Sequence, residues 1–381
     1  MKVLLNFFPV RAGGGQQVAS NFLRIIGTNN YGHEWFIYVG EGSELHTLTR
    51  RFFPTERILA IPYSYKKRIL NFRLLQAYVR NNSIDIVYNY APVLPVKGVP
   101  QVVRSVYSNL YFPEIDFWKD YSVFQRIKKS LIDKMRLKGT FKADGLIFEN
   151  ESMQKRASEL FNYPQSRTVY IEPSVTYFDK SDINVKNIVL ETSNAFKILY
   201  LSSWHLNKNI HILPEVASLL KINGIRVVFV LSLNREDATI RANLVTLINR
   251  FSVQEFFEFI GKVEARNVEY VVRHCDAMIL LSKLECFSSN VIEAFTFEKP
   301  LIISDELWSR SACQDAALYV DRENPKNVAK RIMHLVQNVE VRNDLTKKGS
   351  LMLGRYNSPS KKVEKQIEFL EYILDEYEKG D

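Results

Sequence analysis

The sequence predicts an α/β protein built from two doubly wound domains. Short apolar segments rich in β-branched and aromatic residues alternate with longer segments of helical spacing along most of the 381 residues. The alternation stops in a polar stretch near the middle of the chain and then begins again. A chain of this length also suits two domains of roughly 150 residues each. Alternation of this kind indicates parallel sheets with helices on both faces.

The first half contains five segments with the length and composition of β-strands. They are Val3–Phe8, Glu34–Val39, Ile84–Asn89, Gln101–Val106 and Gly145–Phe148. Segments with helical spacing lie between or after them, at Gln16–Ile26, at Arg68–Arg80 and from Glu151 onward.

The second half repeats the same order of elements. Its predicted strands are Lys197–Leu201, Arg226–Leu231, Phe256–Ile260, Ala277–Leu281 and Pro300–Ile303. Its predicted helices are Ile210–Ile222, Arg235–Phe251, Ala265–His274, Ser289–Phe297 and the amphipathic segment Pro359–Glu378.

The boundary between the two halves is a polar segment without periodicity that follows Pro173. Two doubly wound domains in series leave a cleft, and ligands of such sheets bind beyond the carboxyl ends of the strands. The predicted organisation is an N-terminal domain at 1–173, a linker at 174–194, a C-terminal domain at 195–355 and a C-terminal helix at 356–381.

The cysteines, the histidines and the N-terminus exclude several classes of protein. Cys275, Cys286 and Cys313 are odd in number and lack CxxC spacing, which argues against a disulfide framework or a structural zinc site. The six histidines show no paired ligand spacing, so no bound metal is expected. The first eight residues resemble a strand rather than a signal peptide. We therefore expect a cytoplasmic protein.

The positive charge is concentrated in the N-terminal half. Residues 1–173 contain 24 Lys and Arg against 14 Asp and Glu, whereas residues 174–381 contain 27 against 28. Such asymmetry predicts that the first domain faces an anionic partner. Nucleic acid is not expected, because the charge accompanies no recognisable nucleic-acid-binding module.

Two basic segments of the first half suit an anionic membrane. Lys66–Arg68 leads a predicted helix, and the stretch 126–138 mixes cations with Ile127, Leu131, Ile132 and Met135. A basic amphipathic helix can lie on anionic lipid, although an ordinary surface helix has the same composition. The aromatic residues that could add anchoring at the interface are Tyr107, Tyr111, Phe112, Phe117 and Trp118.

A pair of glutamates marks the first candidate site. A buried strand ends at Leu281, Glu285 lies in the loop that follows, and Glu293 lies on the next helix, eight residues later. The unsatisfied amides at the start of that helix favour an anion such as phosphate. Ionised carboxylates only accept hydrogen bonds, so they suit the hydroxyls of a ribose or a sugar. The alternative is two solvated surface acids with Ser289 as a helix cap.

The residues around this pair resemble the retaining glycosyltransferases of family 4. That family has a Glu-x7-Glu signature after an aromatic–x–Gly segment, a helix, an Ala-Asp pair and a strand that ends in Ser. Here the order is Phe259–Gly261, then Cys275–Asp276, then Leu281–Ser282, then Glu285 and Glu293. The match is best from about 197 to 305. Further matching positions are Tyr270, Phe287, Ala294 and Lys299–Pro300.

The resemblance implies the glycosyltransferase B (GT-B) fold, with two Rossmann-like domains facing across a cleft and the C-terminal helix packing back toward the N-terminal domain. The C-terminal domain would hold the donor and the N-terminal domain the acceptor. By the same resemblance, Glu293 would hold the ribose hydroxyls and Glu285 would contact the transferred sugar. The remaining donor contacts in this region would come from Gly261, Ser288, Ser289, Asn290 and Val291.

The second candidate site is the loop after the strand Lys197–Leu201. We expect a helix to begin near Asn209, which would place Lys208 at its start and facing a diphosphate; a solvated lysine in a capping turn is the alternative. The resembled family carries Gly-Arg and then Lys-Asn here. Lys208–Asn209 match, but Ser203 stands at the arginine position. His205 or Arg11 could take over from that arginine.

The N-terminal domain supplies two further candidate segments. Gly14 and Gly15 belong to a glycine cluster after the first strand, where positive φ angles and close approach of a ligand are possible. The resemblance places this loop over the donor phosphate. Tyr107 occupies a position where the family often has a histidine, so that Arg11, Tyr107 and Ser108 make up the predicted acceptor side. With no obvious base there, the resemblance favours retention of the anomeric configuration.

Together these features predict a retaining hexosyltransferase that needs no cofactor. The donor would be a nucleotide diphosphate sugar such as a UDP- or GDP-sugar. The acceptor would be a glycan or lipid-linked glycan in cell-surface polysaccharide assembly, with peripheral contact to an anionic membrane. The alternatives are a nucleotide-sugar epimerase on the same fold and a catalytically degenerate subunit that only binds.

Overall fold

Two separate parallel sheets organise the chain in the computed structural model. The structure describes residues 1–11, 14–63, 68–93, 95–174 and 195–380. One unit contains the described residues up to Ser174 together with those from Asn357 onward, and the other contains the described residues from 195 to Tyr356. Apart from Ser174, the predicted linker lies outside the described residues, as do Ala12, Gly13, Lys66 and Lys67.

The first unit is built on a seven-stranded sheet with the order β3-β2-β1-β4-β5-β6-β7. Its strands are β1 (Lys2–Asn6), β2 (Glu34–Gly40), β3 (Ile58–Ile61), β4 (Ile86–Asn89), β5 (Gln101–Arg104), β6 (Gly145–Phe148) and β7 (Thr168–Tyr170). Its helices before the second unit are α1 (Gly14–Thr28), α2 (Glu44–Phe52), α3 (Arg68–Asn81), α4 (Val123–Phe141) and α5 (Glu151–Phe161). All described strand pairs are parallel.

The second unit has a six-stranded parallel sheet with the order β10-β9-β8-β11-β12-β13. Its strands are β8 (Phe196–Tyr200), β9 (Val227–Leu231), β10 (Phe257–Phe259), β11 (Ala277–Leu280), β12 (Leu301–Ser304) and β13 (Leu318–Val320). Its helices are α6 (Leu213–Ile222), α7 (Ala238–Ile240), α8 (Thr246–Arg250), α9 (Val268–Arg273), α10 (Ser289–Thr296), α11 (Leu307–Cys313), α12 (Pro325–Gln337) and α13 (Val339–Leu353). The single helix predicted at 235–251 is interrupted by a π-helical turn at Arg241–Val245.

The last helix, α14 (Pro359–Gly380), packs on the first unit. Its apolar face, which includes Val363, Ile367 and Leu370, is buried in the same core as strand β1 and helix α1. An amphipathic helix gains most of its stability by burying such a face. The predicted α/β class with two doubly wound parallel sheets is confirmed, as is the return of the C-terminal helix to the N-terminal domain.

A buried ionic cluster also joins α14 to the first sheet. Glu149 follows β6 and contacts both Arg104, at the end of β5, and Lys362, on α14. Burial alone would raise the pKa of the Glu149 carboxyl, but the two cations lower this pKa to about 2. Each ion of a buried cluster depends on its partners, because an unpaired charge in the interior is strongly destabilising.

In both sheets the spatial order of the strands reverses at the first strand of the unit. In the first unit β1 lies between β2 and β4, and in the second unit β8 lies between β9 and β11. Loops that follow the two central strands of such a sheet meet at its carboxyl edge, where doubly wound proteins bind ligands. In the second unit these loops are 201–209, after β8, and 281–288, after β11.

Two features bear on the predicted membrane contact. Among the described residues, no helix is long and apolar enough to span a bilayer. Tyr111 and Phe112, which were expected to help anchor the protein at a lipid interface, are almost fully buried. Both rings therefore serve the core of the first unit rather than its surface.

Candidate functional site

The centre of the candidate site is an ion pair between Lys208 and Glu285. Lys208 Nζ lies 2.6 Å from Glu285 Oε1, and the side chains are 20% and 16% exposed. Lys208 comes from the loop after β8 and Glu285 from the loop after β11, and these two strands pair directly. The alternatives of a solvated lysine and a solvated Glu285 do not describe the structure, because the two side chains are largely enclosed and bind each other.

Two residues outside the predicted site, Asn207 and Tyr200, hold these loops together. The Asn207 side chain donates to the Leu284 carbonyl at 2.8 Å and accepts from the Leu284 N–H at 3.1 Å. The Tyr200 hydroxyl accepts from the Leu281 N–H at 3.2 Å and donates to the Lys208 carbonyl. An asparagine beside a candidate lysine, at the end of a strand–loop segment, is the signal that could have indicated this contact.

The helix predicted to begin near Asn209 is present, but Lys208 precedes it in a separate turn. Lys208 ends a short 3-10 turn, Leu206–Lys208, and a second 3-10 turn, Ile210–Ile212, leads directly into the α-helix at Leu213. Asn209, between them, adopts a left-handed conformation with φ 57°, and its side chain donates to the Arg322 carbonyl at 2.6 Å. The left-handed residue ends the turn, so Lys208 is positioned by side-chain hydrogen bonds and not by the start of a helix.

Glu293 is a buried carboxylate on α10, not a surface acid. It is 6% exposed, and its Oε2 atom has no hydrogen-bond partner within the described part of the chain. Burial raises the pKa of Glu293 to about 7, and the Ser289 hydroxyl opposes part of this rise. A buried polar atom without a partner is unusual in a folded protein and needs an explanation. A ligand that donates hydrogen bonds to Oε2 would provide one.

The start of α10 has no side-chain cap, so its first amides can face an anion. Ser288, and not Ser289, is the capping residue, and no side chain caps this helix end. The Ser288 hydroxyl donates to the Asn290 side chain, which donates in turn to the Leu201 carbonyl at 2.9 Å. The Val291 N–H donates to the Ser288 carbonyl at 3.1 Å and its side chain is buried. The amide of Val291 is therefore already used within the turn.

Three further predicted donor residues lie at the same sheet edge. Ser203 is exposed, and His205 Nδ1 accepts the Asn207 N–H at 3.0 Å, which fixes the ring beside the Lys208 turn. Gly261 follows β10, two strands away from β8, and has φ +72°. A side chain would strain that backbone, so glycine is required there for conformational reasons.

The candidate residues of the first unit occupy two different loops. The Arg11 guanidinium lies over the Tyr63 ring, 4.4 Å from its centroid. Gly14 and Gly15 begin α1, and neither has the positive φ that we expected. A Cβ atom would meet nothing within 4 Å at Gly14 and only Val10 at Gly15. The backbone there is open to close approach, but its conformation does not require glycine.

The other loop follows β5. The Arg136 guanidinium from α4 lies 3.7 Å from the centroid of the Tyr107 ring. Ser108 is buried, and its carbonyl accepts the Tyr111 N–H at 2.9 Å. The Tyr107 ring is thus held by α4, whereas Ser108 contributes to the turn.

Part of the chain is similar to a known protein family. Residues 182–352, less than half of the chain, match the family described as glycosyl transferases group 1. No curated protein sequence matches the chain. Among the described residues, no cluster of three or more His, Cys, Asp or Glu could hold a metal ion.

Several solved structures share the fold over nearly the whole chain. WaaG, a glycosyltransferase of lipopolysaccharide biosynthesis, has a TM-score of 0.70 at 13% identity, with 97% of this chain and 99% of that one covered. Anabaena Alr3699/HepE, in complex with UDP and glucose, has a TM-score of 0.69 at 13% identity, covering 98% and 100%. A glycosyltransferase from Rickettsia africae has a TM-score of 0.68 at 17% identity, covering 98% of each chain. At these identities the likeness establishes the GT-B fold.

Proposed function

We propose that this protein transfers a hexose-type sugar from a nucleotide diphosphate sugar to a glycan or lipid-linked glycan, with retention of the anomeric configuration. The observation that carries the proposal is the ion pair of Lys208 and Glu285 at the point where the strand order of the second sheet reverses, followed along the chain by the buried carboxylate of Glu293 on α10. The match to the group 1 family covers all three residues.

Lys208 suits the stabilisation of a leaving diphosphate. Its ammonium is held in place by the Glu285 carboxylate and by a turn fixed through Asn207 and Tyr200. As the bond from the sugar to the diphosphate breaks, negative charge grows on the phosphate oxygen. A fixed cation and the open amides of α10 stabilise that charge without reorganisation. Glu285 then accepts hydrogen bonds from the hydroxyls of the transferred sugar.

Glu293 suits recognition of the nucleoside. A ribose presents two neighbouring hydroxyls, both of which can donate to one carboxylate. Donation to the unpartnered Oε2 would compensate for the burial that raises its pKa. The UDP and glucose in the Anabaena protein are in line with a UDP-sugar donor here, and a GDP-sugar fits the same residues.

Retention follows from the groups available on the acceptor side. In a same-face transfer the acceptor hydroxyl attacks the anomeric carbon as the phosphate leaves, and the departing phosphate oxygen takes the acceptor's proton. No enzyme base is then needed, which agrees with Tyr107 at the position where the resembled family often has a histidine. An acceptor from cell-surface polysaccharide assembly is the class that we propose.

A second candidate function is that of a subunit that binds a sugar nucleotide without turning it over. This alternative is supported by Ser203, which is exposed at the position where the resembled family has an arginine. One of the two cations that would bind the diphosphate is therefore replaced by a hydroxyl. Weaker stabilisation of the leaving group would slow chemistry more than binding.

Thermal unfolding in the presence of nucleotides tests the proposal. A panel of UDP, GDP, ADP and their sugars should show one nucleotide that raises the melting temperature, because a ligand that binds only the folded state stabilises it. Glu293→Gln should abolish the shift, whereas Glu340→Gln, an exposed carboxylate of the same unit, should keep it. Absence of any shift would refute a nucleotide-sugar site.

The reaction itself is followed by proton NMR with the sugar nucleotide identified in this way. Slow hydrolysis of the donor to a sugar of unchanged anomeric configuration supports the retaining transferase. Binding without hydrolysis supports the binding subunit, and a change of configuration at another ring carbon of the intact donor would indicate an epimerase. Release of the inverted anomer as the first product would refute retention.

A further inference from the structure

Helix α4 of the first unit exposes an apolar stripe. Its large apolar side chains Val123, Phe124, Ile127, Leu131 and Met135 are 72%, 89%, 58%, 58% and 42% exposed. Four of them recur at every fourth residue, and Phe124 lies beside them, so that with about 3.6 residues per turn they form one continuous face. A continuous apolar face exposed to solvent is a mark of an interaction site.

The opposite face of α4 fastens the helix to its own unit. Asp133 accepts hydrogen bonds from the Asn109 amide and the Trp118 indole, each at 2.8 Å, and pairs with Arg136 at 2.9 Å. The Arg136 guanidinium stacks on the Tyr107 ring. Because the helix is anchored by these polar contacts, its apolar stripe points away from the body of the unit.

The charges around the stripe have one sign. The helix carries six Lys and Arg residues and a single acid, Asp133, which lies on the anchored face. Lys128, Lys134 and Lys138 are exposed and lie on or beside the stripe. The outward face of α4 therefore combines apolar side chains with positive charge and carries no acid.

We propose that the outward face of α4 binds an anionic lipid bilayer, with the apolar stripe entering the interfacial region and the lysines contacting lipid phosphates. An amphipathic helix with these properties lies in the plane of a membrane surface. A second copy of this chain is a poorer partner for the same face, because two cationic stripes would repel each other. Charge complementarity thus favours anionic lipid over self-association.

Binding in this way has a consequence for the acceptor that rests on the proposed function. The anchored face of α4 holds Tyr107 and Asn109, which belong to the loop assigned to the acceptor side. A helix that lies on the bilayer would bring this loop to the membrane surface. The acceptor would then be a glycan attached to a lipid, met where its head group leaves the bilayer.

Flotation with lipid vesicles tests the membrane contact. The full chain should float with vesicles of phosphatidylcholine containing one-third phosphatidylglycerol, and remain below vesicles of phosphatidylcholine alone. Replacing Lys128, Lys134 and Lys138 with Gln should weaken binding roughly 100-fold, at about 5-fold for each cation. Replacing Phe124, Ile127 and Leu131 with Ser should weaken it by roughly 100-fold or more. The substituted side chains are exposed, so the melting temperature should not change.

Matched variants at exposed positions outside α4 provide the controls. Ile222, Val339 and Leu351 are equally exposed apolar residues, and their replacement with Ser should leave flotation unchanged. A variant with Lys155, Lys326 and Lys347 replaced by Gln, all exposed outside α4, removes the same charge and should still float. An equal loss of vesicle binding in the two lysine variants would show that binding depends only on net charge. That result would overturn the proposal that α4 contacts the bilayer.

Two other outcomes would also overturn the proposal. One is equal binding to both kinds of vesicle. The other is no binding to either, together with a concentration-dependent dimer that the Phe124, Ile127 and Leu131 variant loses, because the stripe would then join two copies. Nucleotide binding is measured by thermal shift without vesicles, so failure of the membrane contact and failure of the donor site are seen separately.

Discussion

Lys208 Nζ and Glu285 Oε1 lie 2.6 Å apart although 77 residues separate them in the chain. The pair forms because β8 and β11 are neighbours in the sheet, so the loops after them share one edge. In the unliganded protein each charge satisfies the other. An ammonium has three N–H donors and a carboxylate accepts several hydrogen bonds. A diphosphate at Lys208 and a sugar hydroxyl at Glu285 would therefore add contacts while the pair keeps both groups in place.

Lys208→Gln should lower the turnover number by about 100- to 1,000-fold, the usual effect of removing one group that stabilises developing charge. Lys208→Arg keeps the positive charge and should retain part of the activity. A double-mutant cycle of Lys208→Gln and Glu285→Gln, measured by urea unfolding without nucleotide, should give a coupling of about 1 kcal/mol. Unchanged turnover in Lys208→Gln would mean that the lysine only holds the loop.

Glu293→Gln should stabilise the unliganded protein more at high pH than at low pH. The raised pKa means that the folded state holds this proton more tightly than the unfolded state, so wild-type stability falls as the pH rises from about 4.5 to about 7. The advantage of the variant should grow by about 3 kcal/mol across this range. Urea unfolding of both proteins at pH 4.5 and pH 8 measures it, and a constant difference would contradict the burial of a charged carboxylate.

Affinity for the sugar nucleotide should increase with pH up to about 7 and then level off. Ribose hydroxyls donate to the ionised carboxylate, so below its pKa Glu293 must lose a proton before it binds them. Calorimetric titration with UDP-glucose or the matching donor should show about tenfold tighter binding per pH unit on the acid side. Glu293→Gln should bind weakly and without this slope, and His205→Gln should keep it. A flat wild-type profile would remove Glu293 from the site.

Glu149→Gln should destabilise the first unit by about 3–5 kcal/mol, because it leaves Arg104 and Lys362 buried without their shared anion. The lowered pKa of Glu149 means that its contribution is complete above about pH 4.5 and is lost as the pH falls toward 2. Hydrogen exchange should show α14 losing protection first. Lys361→Met, at the exposed neighbouring residue, is the control and should change protection little.

The local sequence pattern was sufficient to predict the main helices and strands, because the periodicity of their apolar residues is strong. Predicted strands such as Glu34–Val39 and Ala277–Leu281 agree with the structure to within one residue at each end. The short strands β3 and β13 were not predicted. The π-helical turn at Arg241–Val245 was also not predicted.

The candidate site was predictable in its residue types but not in its contacts. The spacing of Glu285 and Glu293, together with their resemblance to a known signature, indicated a donor site. Their environments could not be read from spacing, because burial depends on which helices and loops cover each side chain. The sequence allowed solvated acids, whereas the structure shows an ion pair at Glu285 and a buried carboxylate at Glu293.

By itself the sequence determined the alternation of strands and helices, the excess of positive charge in the first half and the order of the motif residues. These properties reside in single residues and their near neighbours. Tertiary structure alone decided that Lys208 meets Glu285, that Lys362 is buried against Glu149 and that the apolar stripe of α4 faces solvent. The physical reason is that sheet order and helix packing bring together residues 77 to 213 positions apart, and local periodicity carries no information about such distances.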